Sequence, residues 1–258
     1  MTRELRTPAE VRSACGDDDL VMWAAQGLRP GARAWAAGGA VVAGCPVISR
    51  WDRLAVWGRP RDAVPLVRHA LAELGPSYRP LGDVELIGRV AGAVEGLRAG
   101  PCFSWMSLAD LHDDTGDTGD TGEDGEDGED GEGGVGWLDG AEAEITALLA
   151  ADAPDAYAVP GGTGVRRWAG LRDGDRLAAV AADAWSAPDV GLLAGVATVA
   201  AYRGRGLAER VCRWVSGRLV DTYGRAALMV DDDNPAAIRV YERIGYRRRQ
   251  VRTSYVTA

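Results

Sequence analysis

The sequence predicts an α/β chain built on a central mixed antiparallel and parallel sheet flanked by helices. Three observations carry this. Residues 166–171, 177–185 and 192–199 are β-leaning runs, the first two joined by the turn Arg172-Asp173-Gly174-Asp175, which reads as an antiparallel meander. A strong helix pattern over 206–221 is followed by the short, fully apolar run 226–230; such a strand–helix–strand unit closes as a right-handed parallel crossover. A second helix pattern, 234–244, is stopped by Gly245 before a last β-leaning segment at 246–256.

The other elements follow in chain order. Residues 1–19 are polar, end in Gly16-Asp17-Asp18-Asp19, and are expected to fray. Residues 33–43 and 47–57 read as neighbouring antiparallel strands separated by Gly44-Cys45-Pro46. Residues 62–74 and 83–97 carry apolar side chains three and four apart, so both read as helices. Residues 102–108 read as a strand, and 139–150 as a helix with Ile145, Leu148 and Leu149 on its apolar face. Between them, 113–134 is a run of Asp-Thr-Gly and then Glu-Asp-Gly triplets. Glycine entropy and mutual repulsion of the acids leave it nothing to bury, so disorder is expected. It lacks the apolar residue that a calcium-binding β-roll would stack. A solvated insertion is the favoured reading, and a tail for a basic partner the next.

Composition narrows the function. Apolar residues make up 47% and charged residues 26%, the profile of a soluble globular chain. The net charge of -9 misleads, because residues 113–132 hold eleven acids and no base; the remainder carries 27 acids against 29 bases. No basic stripe points to nucleic acid. No apolar run is long enough to span a bilayer and no leader pattern opens the chain, so a cytoplasmic location is expected. The four cysteines form no C-x-x-C pair. Every basic residue is arginine, which excludes a P-loop lysine and Schiff-base chemistry. With only His69 and His112, neither a metal site nor a Ser-His-Asp triad is supported.

Chemistry concentrates in Val196-Ala197-Thr198-Val199-Ala200-Ala201-Tyr202-Arg203-Gly204-Arg205-Gly206-Leu207-Ala208. A strand ends, an arginine- and glycine-rich turn follows, and a helix begins. Glycines clear side chains from an anion's path, and the first helical amides and the helix dipole favour negative charge. Arginines add charge-assisted hydrogen bonds. This makes a phosphate cradle without naming the ligand. A dinucleotide fingerprint is not met, because Glu209 stands where the third glycine belongs.

Arg203-Gly204-Arg205-Gly206-Leu207-Ala208 resembles the R-x-x-G-x-A pyrophosphate loop of the GNAT N-acetyltransferase superfamily, and Gly195-Val196-Ala197-Thr198 its central strand. Asn234 to Tyr246 resembles the family's N-x-x-A-x-x-x-Y-x-x-x-G-[FY] segment. The clear resemblance covers 165–256. It implies a GNAT-like acyl-CoA N-acyltransferase fold, with acetyl-CoA as cosubstrate and no metal. It implies that backbone groups of Val196, Ala197 and Thr198 pair with the pantetheine arm and that the loop from Arg203 through Gly204, Arg205, Gly206 and Leu207 to Ala208 holds the pyrophosphate. Asn234 would contact the arm, and Tyr241 would protonate the leaving thiolate. Locally, Asn234 also reads as a helix N-cap before Pro235, and Tyr241 as a half-buried helix tyrosine.

Many relatives place a carboxylate on the central strands, but Val196 to Val199 carries none. Asp183 is the named base, with Asp231 and Asp232 as other candidates. The expected division is residues 1–100 as a degenerate GNAT-like or cap domain and 101–258 as the transferase domain with its acidic insertion. The acceptor is an amine on a small molecule or peptide; neither nucleic acid nor a membrane is implied, and the chain would be a monomer or homodimer. A non-catalytic acetyl-CoA sensor or an interaction module is the alternative.

Overall fold

The protein is described by a computed structural model over residues 1–110 and 134–257. The acidic run 113–133, and the expectation of disorder attached to it, lies outside the described residues. The strands are β1 (Arg3–Leu5), β2 (Arg33–Ala37), β3 (Ala40–Ile48), β4 (Trp51–Gly58), β5 (Arg79–Asp83), β6 (Leu97–Leu108), β7 (Val135–Leu138), β8 (Val165–Asp173), β9 (Arg176–Ala184), β10 (Gly191–Thr198), β11 (Ala226–Val230) and β12 (Arg247–Val256). The helices are α1 (Pro8–Cys15), α2 (Asp19–Ala25), α3 (Pro60–Leu74), α4 (Val84–Ala93), α5 (Glu142–Asp152), α6 (Leu207–Tyr223) and α7 (Pro235–Ile244). No helix among the described residues is long and apolar enough to cross a membrane.

All twelve strands form one mixed sheet in the order β1-β2-β3-β4-β5-β12-β6-β11-β10-β9-β8-β7. The two halves repeat one order. β2, β3 and β4 make an antiparallel meander, α3 crosses over to β5 parallel to β4, and α4 leads to β6. β8, β9 and β10 make a second meander, α6 crosses over to β11 parallel to β10, and α7 leads to β12. The last strand of each half is exchanged. β6 pairs with β11, β12 pairs with β5, and the two pair with each other from Arg247↔Ser107 to Val256↔Leu97. The boundary expected at residue 100 therefore falls inside β6, a strand that both halves need.

One face carries two separate cores. Leu54, Leu66, Val67 and Ile87 pack under α3 and α4, while Val211, Val215, Leu219, Leu228 and Ile244 pack under α6 and α7. The other face has a continuous core beneath α1, α2 and α5, in which Trp23 and Trp105 meet with ring centroids 5.4 Å apart. Each Leu, Val or Ile buried in this way contributes about 1.5–3 kcal/mol.

The first nineteen residues do not fray. Thr7 and Glu10 form a reciprocal capping box on α1 with Pro8 in its first turn, and Leu5, Val11 and Cys15 are buried. Asp17 pairs with Arg225 at 2.8 Å, and Asp18, the N-cap of α2, pairs with Arg249 at 2.6 Å. The strands expected at 33–43 and 47–57 are divided differently. The hairpin turns at Gly38-Gly39, with Gly38 at φ +57°, and Gly44 lies within β3. A Cβ on Gly44 would sit 2.7 Å from Leu74 Cδ1, so close packing of α3 sets glycine there.

Asp232, just beyond β11, accepts hydrogen bonds from Ser104 on β6 and from Arg248 and Gln250 on β12. Burial alone would raise its pKa, but the bonds from Ser104, Arg248 and Gln250 outweigh that and bring it below the usual aspartate value. A depressed folded-state pKa contributes stability above the unfolded value and loses it as pH falls through the folded one. Asp232→Ala should therefore cost about 1–2 kcal/mol at neutral pH. In calorimetric melts, the gap between variant and parent should shrink below about pH 4.

Candidate active site

β10 and β11 pair only from Gly191↔Ala226 to Leu193↔Leu228. Beyond that point each is held by its other neighbour, β11 by β6 as far as Val230↔Ser104 and β10 by β9 as far as Thr198↔Ala179. The β10–β9 register slips between Ala194 and Ala197. Gly195 sits at this bulge with φ +62°, and a Cβ there would lie 2.4 Å from the Trp168 ring. Glycine is thus required both by conformation and by space. The two strands separate, and each leaves a row of backbone groups facing the gap.

A cavity of about 420 Å³ occupies the gap. Ala194, Gly195 and Val196 line it from β10, Met229 and Val230 from β11 with Asp231 just beyond, and Ala237 and Tyr241 from α7 with its N-cap Asn234. Asn234 Oδ1 accepts a hydrogen bond from Ala237 N at 3.1 Å, so its capping role is realised while it also lines the cavity. Tyr241 is buried, its ring meeting Tyr246 edge-on at 6.0 Å. Burial, with Cys212 and Tyr246 nearby, pushes its phenol well above the usual value. It therefore stays protonated at neutral pH and is able to donate.

The glycine-rich loop opens α6. Gly204 and Gly206 have φ +78° and +77°, and a Cβ on either would meet nothing within 4 Å. Their requirement is conformational, and the space above them is open. Gly206, the N-cap residue, supplies no side-chain cap, so the first amides of a seventeen-residue helix lack the usual acceptor. Leu207 is buried and anchors the helix start, and Ala208 is small and half-buried. The Arg203 side chain is exposed, and its guanidinium bonds Thr198 O at 3.2 Å and Asp152 O at 3.0 Å. Arg205 is exposed, 3.8 Å from Asp173 and stacked near Tyr202. The hydroxyl of Thr198, at the end of β10, is buried without a hydrogen-bond partner.

The expectation that Asp183 serves as base does not fit this geometry. Asp183 is 1% exposed, is not part of the cavity wall, and accepts bonds from Ser186 Oγ and from Tyr223 OH at 3.0 Å, with Arg167 at 3.7 Å. It ties β8, β9 and α6 together. Asp232 is likewise engaged in the strand network described above. Of the three acids considered from sequence, Asp231 alone lines the cavity, and Asp155 joins it at the rim.

The opposite wall was not legible as a site. Ser49 and Arg53 line the cavity from the first half, Phe103 from β6, Thr253 from β12 and Tyr157 from the segment after α5. Trp23 and Trp35 are core residues of the first half, and Trp51 is half-buried beneath the guanidinium of Arg79.

Residues 169–256 match the FR47-like protein family. No curated protein matches the sequence. Among solved structures, a GCN5-related N-acetyltransferase from Kribbella flavida is 21% identical, covering 90% of this chain and 92% of its own, with a TM-score of 0.57. A GNAT-family putative acetyltransferase from Novosphingobium aromaticivorans is 22% identical over 86% of this chain and 91% of its own, with a TM-score of 0.50. A GCN5-related N-acetyltransferase from Sphaerobacter thermophilus is 14% identical over 100% and 95%, with a TM-score of 0.53. These likenesses span both halves of the chain. The chain shares the fold of these acetyltransferase structures, and its residues 169–256 match the FR47-like family.

Proposed function

We propose that the protein is an N-acetyltransferase that moves an acetyl group from acetyl-CoA to a primary amine by direct attack. The observation that carries this reading is the parting of β10 from β11. It opens a cavity whose wall presents a protonated, buried tyrosine, and β10, which borders that cavity, runs on to an uncapped helix start bearing an arginine–glycine loop. The residues fit the cosubstrate. Unpaired strand edges suit an extended amide-bearing arm, open space above Gly204 and Gly206 suits a pyrophosphate, and Thr198 offers an unused buried hydroxyl.

Acetyl-CoA supplies an activated thioester when bound. The chain's residues do the rest. Backbone groups of Val196, Ala197 and Thr198 on the free edge of β10, with Asn234 opposite, orient the arm. The amides from Gly204 to Ala208 and the guanidiniums of Arg203 and Arg205 hold the phosphates. Tyr241 gives its proton to sulfur as the C–S bond breaks and the amine nitrogen forms the new C–N bond. Asp231 takes the proton that the amine loses, directly or through water. The products are an amide and the free thiol.

The first half is read as a GNAT-like unit without a coenzyme loop. At the corresponding turn Asp62 lies in the first turn of α3, and its carboxylate accepts the Gly39 amide at 3.1 Å. An acid already occupies the place where an anion would be held.

Calorimetric titration with acetyl-CoA is the test. Saturable binding by the parent and at least a tenfold loss in Gly206→Trp, with the melting temperature of each recorded, is the expected result. No binding by the parent would sink the reading, and binding without turnover of any amine would leave a sensor. Tyr241→Phe should bind acetyl-CoA unchanged and lose about 10²-fold in kcat. Because the phenol is held protonated, kcat of the parent should show no falling limb from tyrosine ionisation up to about pH 9.

A further inference from the structure

Arg53, on β4, is 5% exposed and lines the same cavity as Tyr241 and Asn234. Its Nε has no hydrogen-bond partner, and its guanidinium makes only a long bond from Nη2 to Ser49 O at 3.4 Å among the described residues. Among the described residues no carboxylate stands within 4.0 Å of it. The charged side chain that acts on it is another cation, Arg79, whose guanidinium lies 3.3 Å above the Trp51 ring. Burial first, and Arg79 second, lower the Arg53 pKa to about 10, which leaves it charged at neutral pH. A buried, unpaired charge is costly and is kept where a counter-charge arrives.

The turn that places these groups is itself strained. Val47, Ser49 and Arg50 have φ of +51°, +50° and +71°, a region that residues with a Cβ enter at a cost. The turn sets Ser49 beside Arg53 and lets Arg50 cover the Tyr157 ring at 4.9 Å. Arg53 shares its strand face with Ala55, whose side chain belongs to the core under α1, α2 and α5, whereas Tyr241 belongs to the core under α6 and α7. The cavity thus runs through the sheet, with the proton donor for sulfur toward one face and an unmatched cation toward the other. Asp155 and Asp231, the acids in its wall, are both exposed.

Resting on the acetyltransferase reading, we propose that the acceptor is an amine that also carries a carboxylate, of amino-acid size, with its carboxylate on Arg53 and its amine toward Tyr241. A single guanidinium with an unused Nε–H edge matches a carboxylate in charge and in fork geometry. Arg53 is a binding and positioning residue; it exchanges no proton in the transfer.

The test compares matched acceptors on the wild-type protein, following thiol release from acetyl-CoA. α-Amino acids are set against their own amides and against phosphoethanolamine. The expected result is kcat/KM about 100-fold higher for the acid than for its amide. In Arg53→Gln that preference should fall to near unity, chiefly through KM, with acetyl-CoA binding unchanged. Removing an unpaired buried charge should not lower the melting temperature, and the acid–amide comparison on the parent needs no variant. Equal turnover of acid and amide, preference for phosphoethanolamine, a preference that survives in Arg53→Gln, or no turnover of any of them with acetyl-CoA bound would overturn the proposal. Failure to bind acetyl-CoA would instead remove the reading beneath it.

Discussion

Two parallel strands that begin paired and are then pulled apart govern the rest of this molecule. β10 and β11 share three register positions and diverge because each has a stronger commitment elsewhere. β11 follows β6, and β10 turns with β9 through the bulge at Gly195. Backbone polar groups are rarely left unpaired inside a sheet, because an unmade hydrogen bond costs the full desolvation of its donor or acceptor. A gap between strands is stable only where a ligand or water completes it. The glycine loop and the start of α6 follow β10 in the chain, and the tyrosine of α7 lines the cavity.

The far side of the gap is built on an exchange of end strands. β6 is supplied by the first half and β12 by the second, yet β6 lies against β11 and β12 against β5. The carboxylate of Asp232 fastens β11's exit to both exchanged strands through Ser104, Arg248 and Gln250. The acids Asp17, Asp18 and Asp19 bind Arg225 and Arg249 and so hold the N-terminal helices onto the start of β11 and onto β12. Surface pairs of this kind contribute little singly, but here they share partners and join segments more than two hundred residues apart.

The second half was legible because its signals are local. Alternation, a glycine loop before a helix, and Asn234-Pro235 before an apolar-faced helix each report on a few residues. β11 and α7 fall where periodicity puts them. The misplaced parts depend on distance. Thr7-Pro8-Ala9-Glu10 carries a capping-box pattern that was available, but the partners of Asp17 to Asp19 lie at the far end of the chain. Gly38-Gly39 is a recognisable hairpin turn, whereas Gly44 reads as a breaker until the side chains of Leu74 and Tyr78 press against it. In the candidate site, the loop and Tyr241 could be named from motif. Asp183 could not be excluded, since only folding reveals that Ser186 and Tyr223 occupy its oxygens. Arg53 gave no sign, because an arginine in a strand is ordinarily at the surface.

The exchanged strands also set the order in which a ribosome can deliver a finished fold. When residues 33–108 have emerged, β5 still offers a bare strand edge, because its neighbour is β12 at 247–256. That edge waits through the synthesis of well over a hundred further residues. At bacterial-like speeds of about 5–20 residues per second, the wait is on the order of ten seconds. Open edges recruit other strands. The middle of the sheet therefore closes only when the ten residues of β12 have been made.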